Sequence, residues 1–293
     1  MYKQPIILIG FFLLIILVVM SFKKNKPKEN LLWEITSPYS KNKSYLFGTI
    51  HLIEKEFFSL PKSLIKKIKN SSTIIFETPY PTNSDVRELM LLPEGGNILT
   101  FFSESEKKKI INWSEKNLKI NENEFQESYG KYKLFVLNQT ITQLPYLDNS
   151  VSYEQEIYKT IKSSQKKIEG LETIEEQIKL LDEIPIENQK KQILYSIDSL
   201  GNNQRILREM QLAYKKQDLQ VIYKWIEKES ANSDVSLDLF LEKRNLKWLP
   251  KIINEINKKR TFIAVGAGHL AGEKGLINLL RKNGFKLKSI YIK

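Results

Sequence analysis

The chain holds two histidines, and both stand in the same frame. "YLFGTIHL" (Tyr45 to Leu52) and "FIAVGAGHL" (Phe262 to Leu270) each run from an apolar stretch into a glycine and, three residues on, a histidine. With 12 glycines in 293 residues, a histidine placed at random follows a glycine at that distance about 4% of the time, so both doing so has a chance on the order of 0.2%. The surroundings repeat as well. "LLWEITSP" (Leu31 to Pro38) and "SYLFGTIHL" (Ser44 to Leu52) read as two strands of a hairpin that turns at "YSKNK". Ser59 and Pro61 then start a helix with Leu64, Ile65 and Ile68 on one face, and "STIIFET" (Ser72 to Thr78) is a β-branched strand. Near the C-terminus "TFIAVGAGHL" is a strand, "EKGLINLLRKN" a helix stopped by Gly284, and "KLKSIYI" a last strand. The order strand, GxxH, helix, strand therefore occurs twice and predicts a pair of βαβ-like units.

A mostly helical middle separates them. Ser103 with Glu106 forms a capping box, and helical patterns run from Glu124 to Leu144, Tyr153 to Ser163, Ile174 to Ile184 and through much of Glu187 to Lys259. "KKIEGLE" (Lys166 to Glu172) interrupts them as one short strand. The expectation is a single α/β domain over residues 31–293, a mixed β-sheet flanked by helices with large helical insertions, preceded by residues 1–30 as a leader and basic linker.

Ile6 to Met20 is apolar apart from Gly10, and "KKNKPK" (Lys23 to Lys28) follows. That length suits a signal peptide or a barely spanning membrane anchor, so an exported protein is expected, with the leader retained or removed. Basic residues after the apolar run favour a cytoplasmic body by the positive-inside tendency, which leaves the orientation open. The net charge of +12 comes chiefly from lysine: of 46 basic residues six are arginine. Without a recognition module or an aromatic-basic stripe, nucleic acid is not the expected partner; attraction to anionic membrane surfaces is. The absence of cysteine excludes disulfides, thiolate ligands and a cysteine nucleophile.

In an open α/β sheet, ligands bind beyond the carboxyl ends of the strands. Each GxxH lies where its strand ends, so His51 and His269 converge on one crevice if those strands are neighbours. Glu77 ends the strand after the first GxxH, and Glu172 ends "KIEGLE". Glu154 lies at a helix start, where it also favours the helix dipole. Arg244, followed by Asn245, is an arginine chosen in a lysine-rich chain, a hint of planar bidentate recognition. Imidazoles with carboxylates suit Zn, Mn, Co or Fe. A serine triad with a GxSxG elbow, an HExxH zinc site and phosphate-binding glycine loops all lack their motifs here.

Taken together, "LWEITSPYSKNKSYLFGTIHL", "IIFET", "SYEQEI", "IEGLETIEEQIKLL", "EKRNLKWLPKI" and the C-terminal "FIAVGAGHLAGEKGLINLLRKNGFKLKSI" resemble the TraB/GumN family, whose animal members include the Tiki proteins. The likeness spans about Leu31 to Ile292. It implies a fold of the erythromycin-esterase/ChaN-like type. From the Tiki proteins it implies a divalent-metal-dependent peptidase acting near the N-termini of protein substrates. The family positions fall on His51, Glu77, Arg244, Asn245 and His269, with Glu154, or Glu156 two residues on, as the acidic residue at the start of the helix before GLET. The expected function is an exported or membrane-tethered metallohydrolase in which His51, Glu77 and His269 hold Mn or Co, or Zn. In it Glu154 or Glu172 acts as base or positions a ligand, and Arg244 stabilises charge or anchors the substrate. The alternative is an anchored, non-catalytic protein that sequesters a peptide, metal or haem.

Overall fold

Four apolar runs from distant parts of the chain become adjacent parallel strands whose carboxyl ends share one edge. The computed structural model describes residues 29–80, 86–232 and 236–293. Its main sheet has the order β6-β4-β7-β2-β1-β8. These strands are β1 (Leu32–Thr36), β2 (Lys43–Thr49), β4 (Thr73–Phe76), β6 (Lys167–Gly170), β7 (Thr261–Gly266) and β8 (Lys286–Ile290). β6, β4, β7 and β2 pair in parallel, whereas β1 is antiparallel to both β2 and β8. The expected hairpin is β1–β2, and the sheet is mixed, as the alternation of hairpin and crossover segments implies. Two dipeptide strands that the sequence does not announce, β3 (Ile53–Glu54) and β5 (Ser150–Val151), form a small separate ladder.

Among the described residues eleven helices flank the sheet: α1 (Lys62–Asn70), α2 (Glu104–Asn117), α3 (Glu122–Tyr129), α4 (Leu134–Gln143), α5 (Tyr153–Ile161), α6 (Ile174–Asp182), α7 (Ile186–Asp198), α8 (Leu200–Lys215), α9 (Leu219–Asn232), α10 (Lys243–Lys258) and α11 (Leu276–Lys282). The first βαβ unit, β2 to α1 to β4, steps over β7; the second, β7 to α11 to β8, steps over β2 and β1. Each unit thus inserts a strand into the other. The helical pattern from Glu124 to Leu144 is broken in the structure between α3 and α4. There Lys133 caps α4 from extended backbone and its amide bonds Met90 O at 2.9 Å, a tertiary contact that outweighs local helix propensity. A π-type turn over Asp238–Glu242 leads into α10.

β7 and β4 are buried along nearly their whole length, which explains their unbroken apolar runs. The main core joins both faces of the sheet to the buried sides of α1, α5, α10 and α11. A second apolar cluster, around Ile98, Trp113, Phe125, Leu137 and Ile193, holds the inserted helices together. The leader and its linker lie outside the described residues. Among the described residues no helix is long and apolar enough to cross a membrane.

Phe262 is fully buried against Tyr45 and Phe47. Phe262→Ala should cost about 3–5 kcal/mol in urea unfolding, whereas Tyr39→Ala, at a side chain 79% exposed, should change stability by no more than about 0.5 kcal/mol.

Candidate active site

The carboxyl ends of the four parallel strands deliver one candidate residue or motif each. Glu172 lies two residues past β6, Glu77 directly after β4, His269 three past β7 and His51 two past β2. β2 and β7 are in register from Tyr45↔Phe262 to Thr49↔Gly266, which sets the two GxxH turns side by side. The two motif glycines make that approach feasible. A Cβ at Gly48 would lie 3.1 Å from Ala267 Cα and from Leu270 Cδ2, inside the second motif's turn. A Cβ at Gly266 would lie 3.1 Å from Glu77 Oε1, 3.7 Å from His269 Cδ2 and 4.0 Å from His51 Nε2. The missing side chain at Gly266 is therefore the space on which the two imidazoles and the carboxylate converge.

His269 is 3% exposed, and its ring is assigned by its surroundings. Asn245 Nδ2 donates to the backbone oxygens of His269 and Lys274, at 3.2 and 2.9 Å, so Asn245 Oδ1 faces His269 Nδ1 at 2.8 Å and must accept from it. Nδ1 then carries the proton and Nε2 the lone pair. Burial lowers the pKa of His269 to about 3, against the pull of Glu77, so the ring is neutral at physiological pH. It rests on Trp248, with ring centroids 4.4 Å apart.

His51 sits at the mouth, its side chain 67% exposed. Its Nδ1 lies 3.3 Å from Glu154 Oε1, which also accepts from Thr49 Oγ1 at 2.7 Å, while Ser152 Oγ donates to Oε2 at 2.8 Å. Hydrogen bonding to Glu154, with the charge of Glu77 behind it, raises the pKa of His51 to about 9, and solvent at the mouth screens part of that attraction. Glu154 lies in the first turn of α5, which Ser152 caps, so it serves the helix terminus and the histidine at once.

Glu77 accepts from Gly266 N at 2.7 Å, Arg244 Nη2 at 2.6 Å and Gln177 Nε2 at 3.3 Å. Burial opposes its ionisation, but the positive potentials of His269, His51 and Arg244, with the Gly266 amide, lower its pKa to about 2. Because His269 stays neutral, Arg244 and His51 supply that potential in the physiological range. Arg244, in the first turn of α10, uses all its nitrogens. Nε and Nη2 donate to Glu172, Nη2 also to Glu77, and Nη1 to Phe240 O at 2.9 Å and to His269 Nε2 at 3.1 Å. Glu172 is held in turn by Trp248 Nε1 at 3.1 Å. The seven residues singled out by sequence therefore form one network. Within it Glu154 touches His51, whereas Glu172 touches Arg244 and Trp248, away from the mouth.

Thr49, Gln177, Trp248 and the Gly266 amide also belong to the network and were not singled out from sequence. Trp248 was the most accessible of these, lying four residues after Arg244 on the same helix face; the guanidinium stands 4.6 Å from its ring centroid. A cavity of about 320 Å³ opens above the cluster, walled by apolar Met210, Ile222, Ile226, Phe240 and Leu241. A more polar one of about 220 Å³ adjoins it, lined by Thr78, Tyr80, Ser152 and Glu154. His51, Glu77 and Gln177 border both. A separate cavity of about 330 Å³ between α4, α7 and α8 carries none of the network's residues, so chemistry and not size selects the site.

Among the described residues no group of three His, Asp or Glu stands at coordination spacing. His269 Nε2 and Glu77 Oε1 are 3.6 Å apart, near the ~3.4 Å between two atoms that each lie about 2.1 Å from one tetrahedral ion. Both histidines turn Nδ1 toward a side-chain oxygen, the arrangement that orients imidazole ligands. In type, His269 Nε2 and Glu77 Oε1 suit a divalent ion, while His51, more exposed at the mouth, does not stand at coordination spacing with them.

The depressed pKa values of His269 and Glu77 fix a sign for stability. Unfolded, the two groups take up protons below about pH 6.5 and about pH 4.3; folded, they resist until about pH 3 and about pH 2. Their contribution is present above the unfolded values and is lost as pH falls. Unfolding free energy should therefore decline in acid from about pH 6.5 in the wild type. In His269→Gln the decline should begin only below about pH 5, and identical profiles would refute the buried neutral imidazole.

The uncharacterized protein YbaP of Shigella flexneri is 26% identical over 260 residues, covering 85% of this chain and 91% of the relative, and the uncharacterized protein YbaP of Escherichia coli K12 gives the same figures. No solved structure matches. The TraB/PrgY/gumN family model matches residues 31–289, which take in every member of the strand-end network, and the chain belongs to that family.

Proposed function

We propose that the protein is a hydrolase of peptide bonds, tethered to or exported across a membrane by its N-terminal segment. One observation carries the reading: two imidazoles, each oriented through Nδ1 by a side-chain oxygen, meet an ionised buried carboxylate above Gly266 on the floor of an open cleft. The donor set is suited to a divalent ion, Mn or Co by preference and Zn as a further candidate, held by His51, Glu77 and His269. Such an ion would acidify a water and polarise a carbonyl.

The residues themselves supply the rest. Glu154 fixes the ring plane of His51 and balances the charge it carries. With Nδ1 turned to Glu154, His51 would offer Nε2 to the ion, and the proton it carries at neutral pH in the metal-free protein would leave on binding. Asn245 keeps the lone pair of His269 on Nε2. Arg244 presents a fixed positive charge beside the cluster, where negative charge develops on a carbonyl oxygen under attack. Glu172 and Trp248 hold that guanidinium in place. The larger cavity sets an apolar wall of Met210, Ile222, Ile226, Phe240 and Leu241 beside these charges.

The test is to incubate the purified full-length protein with a peptide library and Mn or Co, and to read products by mass spectrometry. Cleavage should require the metal, disappear on chelation, and fall by on the order of 10²–10⁴-fold in His51→Ala and His269→Ala. Cleavage that survives both substitutions would defeat the reading. Peptide, metal or haem retained without any product would favour a sequestering protein instead.

A further inference from the structure

The lone pair of His269 is already taken. Asn245 forces the proton onto Nδ1, and Nε2, in a ring 3% exposed, accepts from Arg244 Nη1 at 3.1 Å. Arginine has no lone pair to offer and stays charged, so this contact sets a cation where a metal ion must approach. The same guanidinium is anchored from its other side. Nε and Nη2 bond Glu172, whose second oxygen accepts from Trp248 Nε1, and the guanidinium carbon lies 4.6 Å from the Trp248 ring centroid. Among the described residues, Nη1 is the arm of the fork with no carboxylate partner; it donates to Phe240 O and to His269 Nε2.

We propose that Arg244 and a divalent cation compete for His269 Nε2, so that Arg244 is a positioning residue that occupies the site until the ion displaces its Nη1 arm. The inference rests on the metal reading of the site and adds a control to it. Binding withdraws Nη1 from His269 while the Glu172 clamp keeps the rest of the side chain at the edge of the site. Metal affinity is weakened by the contact that must be broken and by the repulsion between the two cations. By linkage, the ion loosens the hold of Arg244 as much as Arg244 weakens the hold on the ion. Trp248 is the reporter, since its ring touches both His269 and Arg244.

The competition is measured by titrating Co(II) chloride calorimetrically into the full-length protein and into the charge-balanced double variant Glu172→Gln/Arg244→Gln. The double variant should bind at least about tenfold more tightly. Equal or weaker binding by the variant overturns the competition and leaves the metal reading intact, whereas no binding by either protein overturns the metal reading and the inference with it. Where the double variant does not fold, the wild type decides. Zn(II), which does not quench emission, should give a saturable change in tryptophan fluorescence that is lost in Trp248→Phe. Calorimetric Zn(II) binding with no Trp248 response overturns the proposal.

Discussion

The parallel alignment of β6, β4, β7 and β2 is the constraint on which the rest depends. Strands that run the same way end at the same edge, and the residues that follow them must share whatever space lies beyond it. His51, Glu77, Glu172 and His269 are brought together in this way, although more than two hundred positions separate the first from the last. Interleaving of the two βαβ units makes the meeting close: β7 lies between β2 and β4, so the second GxxH turn is flanked by the first GxxH and by Glu77. The glycines at positions 48 and 266 then remove the two Cβ atoms that would hold the turns apart.

Gathering charges at a buried edge is costly, and the network is organised around that cost. Glu77 and Glu172 would each carry a large desolvation penalty if left unpaired. Arg244 lies between them and offsets both, with the Gly266 amide and Trp248 Nε1 satisfying the remaining oxygens. A buried arrangement of this kind is weak evidence for stability, since apolar residues of similar volume would hold the fold at least as well. Its polarity is better explained by what the cleft has to do. The histidines show the same division of labour: one is buried, neutral and fixed by an amide, the other exposed, charged and fixed by a carboxylate.

Much of this was legible in the sequence because strand ends are. An apolar run that stops at a glycine and a histidine, or at a glutamate, marks both the strand and the group at its tip, so His51, His269, Glu77 and Glu172 could be named without coordinates. Arg244 stood out against a background of lysine. The partner relationships were not legible. Nothing local says that β7 slides between β2 and β4, and hence that Glu77 and not Glu172 faces the imidazoles. Thr49 and Gln177 look like ordinary strand-end and helix residues until Glu154 and Glu77 are set beside them. The break between α3 and α4 and the β3–β5 ladder depend likewise on long-range backbone bonds.

With two histidines in the chain, selective ¹⁵N-histidine labelling yields two imidazole spin systems, and their tautomers and titrations report directly on whether the rings share one charged cluster. The account predicts one ring that stays neutral with its proton on Nδ1 across about pH 5–8, and a second that remains charged to about pH 8 or above. Two rings that both titrate near pH 6.5 as independent solvent-exposed groups would contradict it.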